Sequence, residues 1–147
     1  MIKILLVAAL TTLMADAASG PNLVSLGSIL AHPYSIELVT RPGHIGEQGM
    51  AKAIFKPTPG FKWNKDFPAS FTIQSKDIPI ATPVKVKSGR EDFKINGRDR
   101  VLCVPFIGKE NGRYPVEGLV NFSVCNEKEC LVFRNQKLTL TFIVVGK

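Results

Sequence analysis

The stretch that decides the fold is residues 116–133, VEGLVNFSVCNEKECLVF. Apolar side chains recur at every second position of its first half, at Val120, Phe122 and Val124. This period of two predicts a strand with one buried face. The four polar residues 126–129 then give a common length for a hairpin loop. Cys125 and Cys130 stand at the two ends of that loop, so the predicted hairpin brings them within reach of a disulfide bond.

Extended segments of the same kind follow one another through the rest of the chain. Besides the hairpin, strands are expected over residues 34–39, 49–56, 67–74, 84–87, 101–107 and 138–144. Residues 88–100 are charged and contain glycine, which predicts a long surface loop with one large apolar residue, Phe93. No stretch has convincing helical periodicity. Seven or eight short strands separated by turn signals predict an all-β fold, an immunoglobulin-like antiparallel β-sandwich over residues 34–147.

The N-terminus has the pattern of an export signal. Lys3 precedes an apolar run, residues 4–14, and Ala15-Asp16-Ala17 matches a small-x-small cleavage site. We therefore expect a signal peptide over residues 1–17, cleavage after Ala17, and a weakly patterned leader over residues 18–33. A protein exported in this way is expected in the periplasm or outside the cell, where a close pair of cysteines is oxidised.

Composition narrows the classes of function. The chain carries 19 Lys and Arg against 12 Asp and Glu, a net charge of +7, but the basic residues are scattered and lack interleaved aromatic residues, so no nucleic-acid partner is predicted. His32 and His44 are isolated, and phosphate-binding loops and nucleophile elbows are absent from the sequence. We therefore predict neither a metal nor a cofactor. Cys103 lies within the apolar segment 101–107 and is expected to be a buried free thiol.

The pair Cys125 and Cys130 has two interpretations. As a clamp, it closes a loop of about six residues, and the chain-entropy estimate for such a loop is only roughly 2 kcal/mol. As a redox pair, it lies beside an exposed polar loop where an incoming thiolate can attack it. Glu127 and Glu129 push the thiol pKa values up and Lys128 pushes them down. The spacing alone leaves a redox-active and a structural disulfide equally supported.

The sequence resembles the N-terminal periplasmic domain of DsbD-type thiol:disulfide interchange proteins, from about residue 57 to residue 145. The segments that carry the resemblance are VNFSVCNEKEC, Pro59-Gly60-Phe61-Lys62-Trp63-Asn64, Glu91-Asp92-Phe93, Arg98-Asp99-Arg100-Val101 and Pro105. Only the cysteine hairpin among them is fairly specific. The family often has a proline soon after the second cysteine, whereas Leu131-Val132-Phe133 follows here.

The resemblance implies a function and a set of residues. Cys125 and Cys130 would be the redox pair, an oxidoreductase-type centre without a cofactor. Phe93, with Asp92 and Glu91, would belong to a cap loop that shields the pair until a partner docks. That partner would be a periplasmic thioredoxin-like protein or a membrane-embedded electron conductor that supplies electrons in trans. The alternative is a non-catalytic binding or adaptor module of the same fold with a structural disulfide.

Overall fold

The computed structural model describes residues 32–78 and 80–146. The predicted signal peptide and all but the last two residues of the leader lie outside the described residues. In the described part, the strands are β1 (Tyr34–Arg41), β2 (Gly43–His44), β3 (Gln48–Pro57), β4 (Lys62–Trp63), β5 (Ser70–Ile73), β6 (Ala81–Pro83), β7 (Lys87–Ser88), β8 (Phe93–Asn96), β9 (Asp99–Gly108), β10 (Gly112–Cys125) and β11 (Cys130–Val145). One turn of 3-10 helix, Arg90–Asp92, precedes β8.

The strands form two sheets that pack face to face. The first sheet has the order β1-β3-β9-β6, with β8 also paired to β9, and the second has the order β2-β11-β10-β5-β7, with β4 also paired to β10. The pairing is antiparallel except between β2 and β11. The prediction of an all-β sandwich is therefore confirmed.

The core comes from the period of two in each long strand. On β10, Val116, Val120, Phe122 and Val124 are buried, and on β11 the buried residues are Leu138, Leu140, Phe142 and Val144. The alternation in the sequence gave the correct faces for both strands, because successive side chains of a strand point to opposite sides of the sheet. The strand expected over residues 138–144 is the second half of β11, which begins at the cysteine hairpin.

An irregularity in β11 divides that long strand. The register between β10 and β11 shifts between Val120 and Phe122, which pair with Gln136 and Phe133. The extra residue of β11 is accommodated at Asn135, whose φ is 51°. The N–H of Asn135 donates to Oδ1 of Asn121, 2.8 Å away. Such a bulge lets one strand bend and twist while the pairing resumes on either side.

Two expectations about residues 84–100 were wrong. Residues 84–87 were expected to be a strand, but Val84 and Val86 are exposed because the chain passes there from β6 in the first sheet to β7 in the second. Residues 88–100 were expected to be a surface loop, but they contain β8, which extends the first sheet beside β9. The apolar alternation of the valines did not reveal a crossing between sheets.

Within the described residues, there is no helix of sufficient length and apolar character to cross a membrane.

Candidate functional site: the disulfide hairpin

Cys125 and Cys130 form a disulfide at the end of the β10–β11 hairpin, with their Cα atoms 4.0 Å apart. The backbone N–H of Asn126 donates to the carbonyl of Glu129 at 2.9 Å. Hydrogen-bonded and non-hydrogen-bonded pairs alternate along an antiparallel ladder, so the neighbouring cysteine pair is a non-hydrogen-bonded one. Opposite residues approach most closely at such pairs, which explains why two cysteines fit there.

The loop between the cysteines is organised by Asn126. Its Oδ1 accepts hydrogen bonds from the backbone N–H groups of Lys128 and Glu129, both at 2.8 Å. An asparagine side chain that bonds to the backbone two or three residues later is a common way to fix a turn. The hairpin therefore has a turn closed by hydrogen bonds in addition to the covalent bond.

The disulfide lies on the outer face of the second sheet. Val124 points into the core and is fully buried, so the next side chain, Cys125, points outward. Cys125 is half-buried and Cys130 is exposed. Val132, on the same face of β11 two residues further on, is 47% exposed. An incoming thiol group can therefore approach the pair from solvent, and it reaches Cys130 more easily than Cys125.

The short strand β4 pairs with β10 beside Cys125, on the edge of β10 opposite β11. Lys62 pairs with Cys125 and Trp63 pairs with Val124. The N–H of Asn64 donates to the carbonyl of Ser123 at 2.9 Å, and the Asn64 side chain donates to the hydroxyl of Ser123 at 3.3 Å. Trp63 points into the core, so Lys62 lies on the outer face, the same face as the disulfide.

A turn held by Arg98 borders the hairpin. Nη2 of Arg98, in the β8–β9 turn, donates to the carbonyls of Phe61 at 2.9 Å and Thr58 at 3.4 Å. These bonds fix the chain just before β4. A shallow depression of about 410 Å³ lies beside it, lined by Gly60, Phe61, Lys62, Arg98 and Glu127. The Pro-Gly-aromatic segment and the cysteine hairpin, distant in sequence, thus form one surface.

Phe93, the predicted shielding residue, lies in the core beneath this surface. Its side chain is 6% exposed, and its ring centroid is 5.5 Å from that of Trp63 and 5.8 Å from that of Phe55. Trp63 in turn stacks on Phe122 at 5.5 Å. Phe93 therefore packs on the inner side of the β4–β10 pair, whereas the cysteines point to the outer side.

Asp92 and Glu91, the other predicted cap residues, surround the amino group of Lys85. Oδ2 of Asp92 lies 2.6 Å from Nζ of Lys85 and accepts the N–H of Gly89 at 2.8 Å. Oε1 of Glu91 is 3.6 Å from the same Nζ. Partial burial raises the pKa of Asp92, but the hydrogen bonds from Lys85 and Gly89 outweigh it and lower the pKa overall. These contacts fix the 3-10 turn before β8.

Cys103 is not in the core, contrary to expectation. It is half-buried and pairs with Lys52 of β3. Its neighbours Leu102 and Val104 point inward and are fully buried, so Cys103 lies on the outer face of the first sheet. The continuous apolar run 101–107 suggested burial on both faces, but only one face of β9 is covered by the opposite sheet.

Nδ1 of His44 lies 3.1 Å from the carbonyl of Gly146. Over residues 32–78 and 80–146, there is no group of three His, Cys, Asp or Glu side chains arranged to hold a metal ion.

Three contributors to this surface were missed in the sequence. The two residues of β4 are too few to show a period, so the position of Lys62 beside Cys125 could not be read from the pattern. Arg98 donates to backbone carbonyls of a distant turn, and because every residue has a carbonyl, the sequence does not indicate this contact. Asn126 did carry a signal, because asparagine directly after a strand is typical of a side chain that caps a turn.

No family model matches the chain, and no curated protein matches its sequence.

Proposed function

We propose that this protein is a thiol:disulfide exchange domain in which Cys125 and Cys130 carry electrons between thiol proteins of the cell envelope. The observation that carries the proposal is the position of the disulfide, on the open outer face of a sheet at the end of a hairpin. A thiolate must reach a disulfide sulfur for exchange to occur, and the exposed Cys130 permits that approach.

The small contribution of the disulfide to stability supports a chemical role. The cysteines are five positions apart, and closing so short a loop stabilises by roughly 2 kcal/mol in the chain-entropy estimate. The turn is also closed by the hydrogen bonds of Asn126, and the buried core contains neither cysteine. A structural need for the bond is therefore weak.

The exchange step begins at Cys130, because it is the more exposed cysteine. A thiolate of a reduced dithiol donor attacks Sγ of Cys130, forming a mixed disulfide, and the electron pair of the broken bond goes to Sγ of Cys125 as a thiolate. The second thiolate of the donor then attacks the donor sulfur that is bonded to Cys130, and Cys130 leaves as a thiolate. The donor is oxidised to a disulfide, and Cys125 and Cys130 are left reduced for the next acceptor.

The donor and acceptor follow from the resemblance and the signal peptide. We infer that the domain works in the periplasm or outside the cell, after removal of residues 1–17. Its partners would be a membrane-embedded electron conductor and a periplasmic thioredoxin-like protein. Phe93, Asp92 and Glu91 are proposed to control access to the pair. Phe93 packs beneath Trp63 of β4, and Asp92 and Glu91 hold the turn before Phe93 through Lys85, so this control would act indirectly, through β4.

The equilibrium reduction potential tests the proposal. The protein is incubated in glutathione buffers of graded ratio, the thiols are trapped, and the reduced fraction is measured. Every variant carries Cys103→Ser, because the half-buried third thiol would otherwise react with the trapping reagent. An exchange pair is expected above about −300 mV, whereas a lower potential is typical of structural disulfides and contradicts the proposal.

Mixed-disulfide trapping identifies the partner and the entry cysteine. With Cys103→Ser in place, Cys125→Ser leaves Cys130 as the single thiol, and Cys130→Ser leaves Cys125. The first variant is expected to accumulate the mixed disulfide with envelope thiol proteins and the second to accumulate much less. Equal trapping by both would contradict the assignment of Cys130. If neither forms an adduct and the double variant keeps its cellular role, the protein is a binding module with a structural disulfide.

A further inference from the structure

We propose that Lys62 is a positioning residue for this exchange, which stabilises the Cys125 thiolate released when Cys130 is attacked. The inference rests on the proposed function, since it concerns the leaving group of that reaction. It begins from the pairing of β4 with β10, which places Lys62 directly opposite Cys125.

The backbone ladder fixes the separation of the two Cβ atoms. The hydrogen bond from Asn64 to Ser123 marks a hydrogen-bonded pair, and two positions along the ladder Lys62 and Cys125 form the next one. Side chains at directly opposite positions have Cβ atoms about 5 Å apart on the same face. The flexible stem of a lysine can bring its ammonium group to a neighbour at that distance.

Contacts on both sides of Lys62 hold it in this position. Trp63 anchors the strand from the core by stacking on Phe122. Arg98 holds the preceding turn through the carbonyls of Phe61 and Thr58. The backbone of a two-residue strand would otherwise be mobile, and the lysine charge with it. Here the backbone of β4 is held on both sides of Lys62.

Other charged residues lie in the turns next to Cys125. The hairpin loop carries Glu127, Lys128 and Glu129, and Arg98 lies in the β8–β9 turn. Glu127 lines the same depression as Lys62, so its carboxylate opposes the effect of the ammonium group. The guanidinium group of Arg98 is hydrogen-bonded to two backbone carbonyls. Lys62 is the cation placed opposite Cys125 in the ladder, and it therefore favours the charged form of this sulfur.

The chemistry explains why the position matters. A disulfide is cleaved faster when the departing sulfur is a more stable thiolate. When a donor thiolate bonds to Sγ of Cys130, the electron pair moves to Sγ of Cys125, where the ammonium group of Lys62 on the neighbouring strand stabilises the new negative charge. Lys62 thus favours Cys125 as the leaving sulfur and Cys130 as the sulfur that is attacked.

The pH dependence of alkylation tests the inference without requiring a partner. In the variant with Cys103→Ser and Cys130→Ser, Cys125 is the single thiol, and its rate of reaction with iodoacetamide is followed against pH. Adding Lys62→Gln is expected to raise the midpoint of this rate–pH curve by about half a pH unit, which lowers the alkylation rate near neutral pH roughly threefold. Lys62→Arg should restore the original midpoint, because it keeps the charge. Glu127→Gln should move the midpoint in the opposite direction.

Lys128→Gln is the matched control, since it removes the same charge from the loop. A shift of equal size in Lys128→Gln would show a net-charge effect and overturn the role of Lys62, as would no shift in Lys62→Gln. In 1 M salt, the shift should shrink. Unchanged Trp63 fluorescence shows that each variant is folded.

Reduction of the disulfide distinguishes a failure of this inference from a failure of the proposed function. With Cys103→Ser alone, Lys62→Gln is expected to slow reduction by dithiothreitol, and Lys62→Arg should restore the rate. A shifted midpoint in a protein whose potential is below about −300 mV would leave Lys62 as a tuning residue and reject the exchange role. An exchange-competent pair with no shift would reject Lys62 alone.

Discussion

Phe93 stands among charged residues in the sequence, yet its ring is buried among Phe55 and Trp63. The reason is that β8 pairs with β9 and adds an edge to the first sheet, so one side chain of that edge faces the core. Ile95 follows on the same strand and is 76% exposed. Two large apolar residues, two positions apart, therefore have opposite environments.

Phe93→Ala is expected to lower the free energy of unfolding by about 3–5 kcal/mol, because it removes a ring from the core. Ile95→Ala, the control, should change it by less than about 0.5 kcal/mol, as is usual for an exposed site. Urea unfolding measures both. A loss below 1 kcal/mol for Phe93→Ala would contradict its role in packing.

The same variant tests the shielding role. If the Phe93 ring limits access to the disulfide, reduction by dithiothreitol should be faster in Phe93→Ala under conditions where both proteins are folded. An unchanged rate would mean that the ring serves the core alone.

The pKa of Asp92 is lowered in the folded protein through Lys85 and Gly89, against the opposing effect of its partial burial. The stabilisation from its carboxylate is therefore complete well above pH 3.8, its ordinary pKa, and is lost as the pH falls through the lower folded value. Asp92→Asn should remove this dependence: it destabilises at neutral pH, and the difference from the unmodified protein shrinks in acid.

Denaturant unfolding at a series of pH values checks the Asp92 prediction. Glu91→Gln is the control, because Glu91 lies further from Lys85 and its side chain is 73% exposed. A stability difference between Asp92→Asn and the unmodified protein that grows as the pH falls would contradict this prediction.

At the scale of elements, the bulge in β11 separates the cysteine end of the hairpin from the part that closes the core. Oδ1 of Asn121 accepts the N–H of Asn135 at 2.8 Å, and Nδ2 of Asn121 donates to the hydroxyl of Ser70 at 3.1 Å. One asparagine on β10 thus links three strands at the irregularity. The bulge sets the register that brings Cys130 opposite Cys125.

Asn135 has a φ of 51°, in the left-handed region that asparagine and glycine tolerate. Asn135→Gly is therefore expected to change stability by less than about 1 kcal/mol. Asn135→Val should lower the free energy of unfolding by at least roughly 1–2 kcal/mol, because a β-branched residue is strained in this conformation. Thermal unfolding compares the two variants, and equal stabilities would show that the bulge can rearrange.

At the scale of the whole molecule, the core is complete without the disulfide. The buried residues come from both sheets and include neither Cys125 nor Cys130. Aromatic rings connect the sheets near the hairpin, where Tyr34 of β1 contacts both Phe122 and Phe133 at 4.8 Å. The Cys125–Cys130 bond therefore lies on a surface whose supporting core does not include it.

Cys125→Ser with Cys130→Ser is expected to keep the fold and to lose about 2 kcal/mol of stability or less. Near-ultraviolet circular dichroism of the aromatic cluster and urea unfolding measure the two effects. Cys103→Ser serves as the control for a cysteine outside the hairpin and should change stability by less than about 1 kcal/mol. Loss of cooperative unfolding in the double variant would show that the bond is structural.

The sequence by itself determined the class of fold, the faces of β10 and β11, and the pairing of the cysteines. These features are local, because alternation and a short polar loop act between residues that are near in the chain. Only the tertiary structure decided that Cys103 lies on the outer face of its sheet, that the ring of Phe93 is buried, and that Lys62 lies beside Cys125. Each depends on which strand or sheet lies beside it. Contacts such as those of Lys62 with Cys125 and of Trp63 with Phe93 join strands distant in the chain, which are brought together by the burial of the whole core rather than by any local pattern.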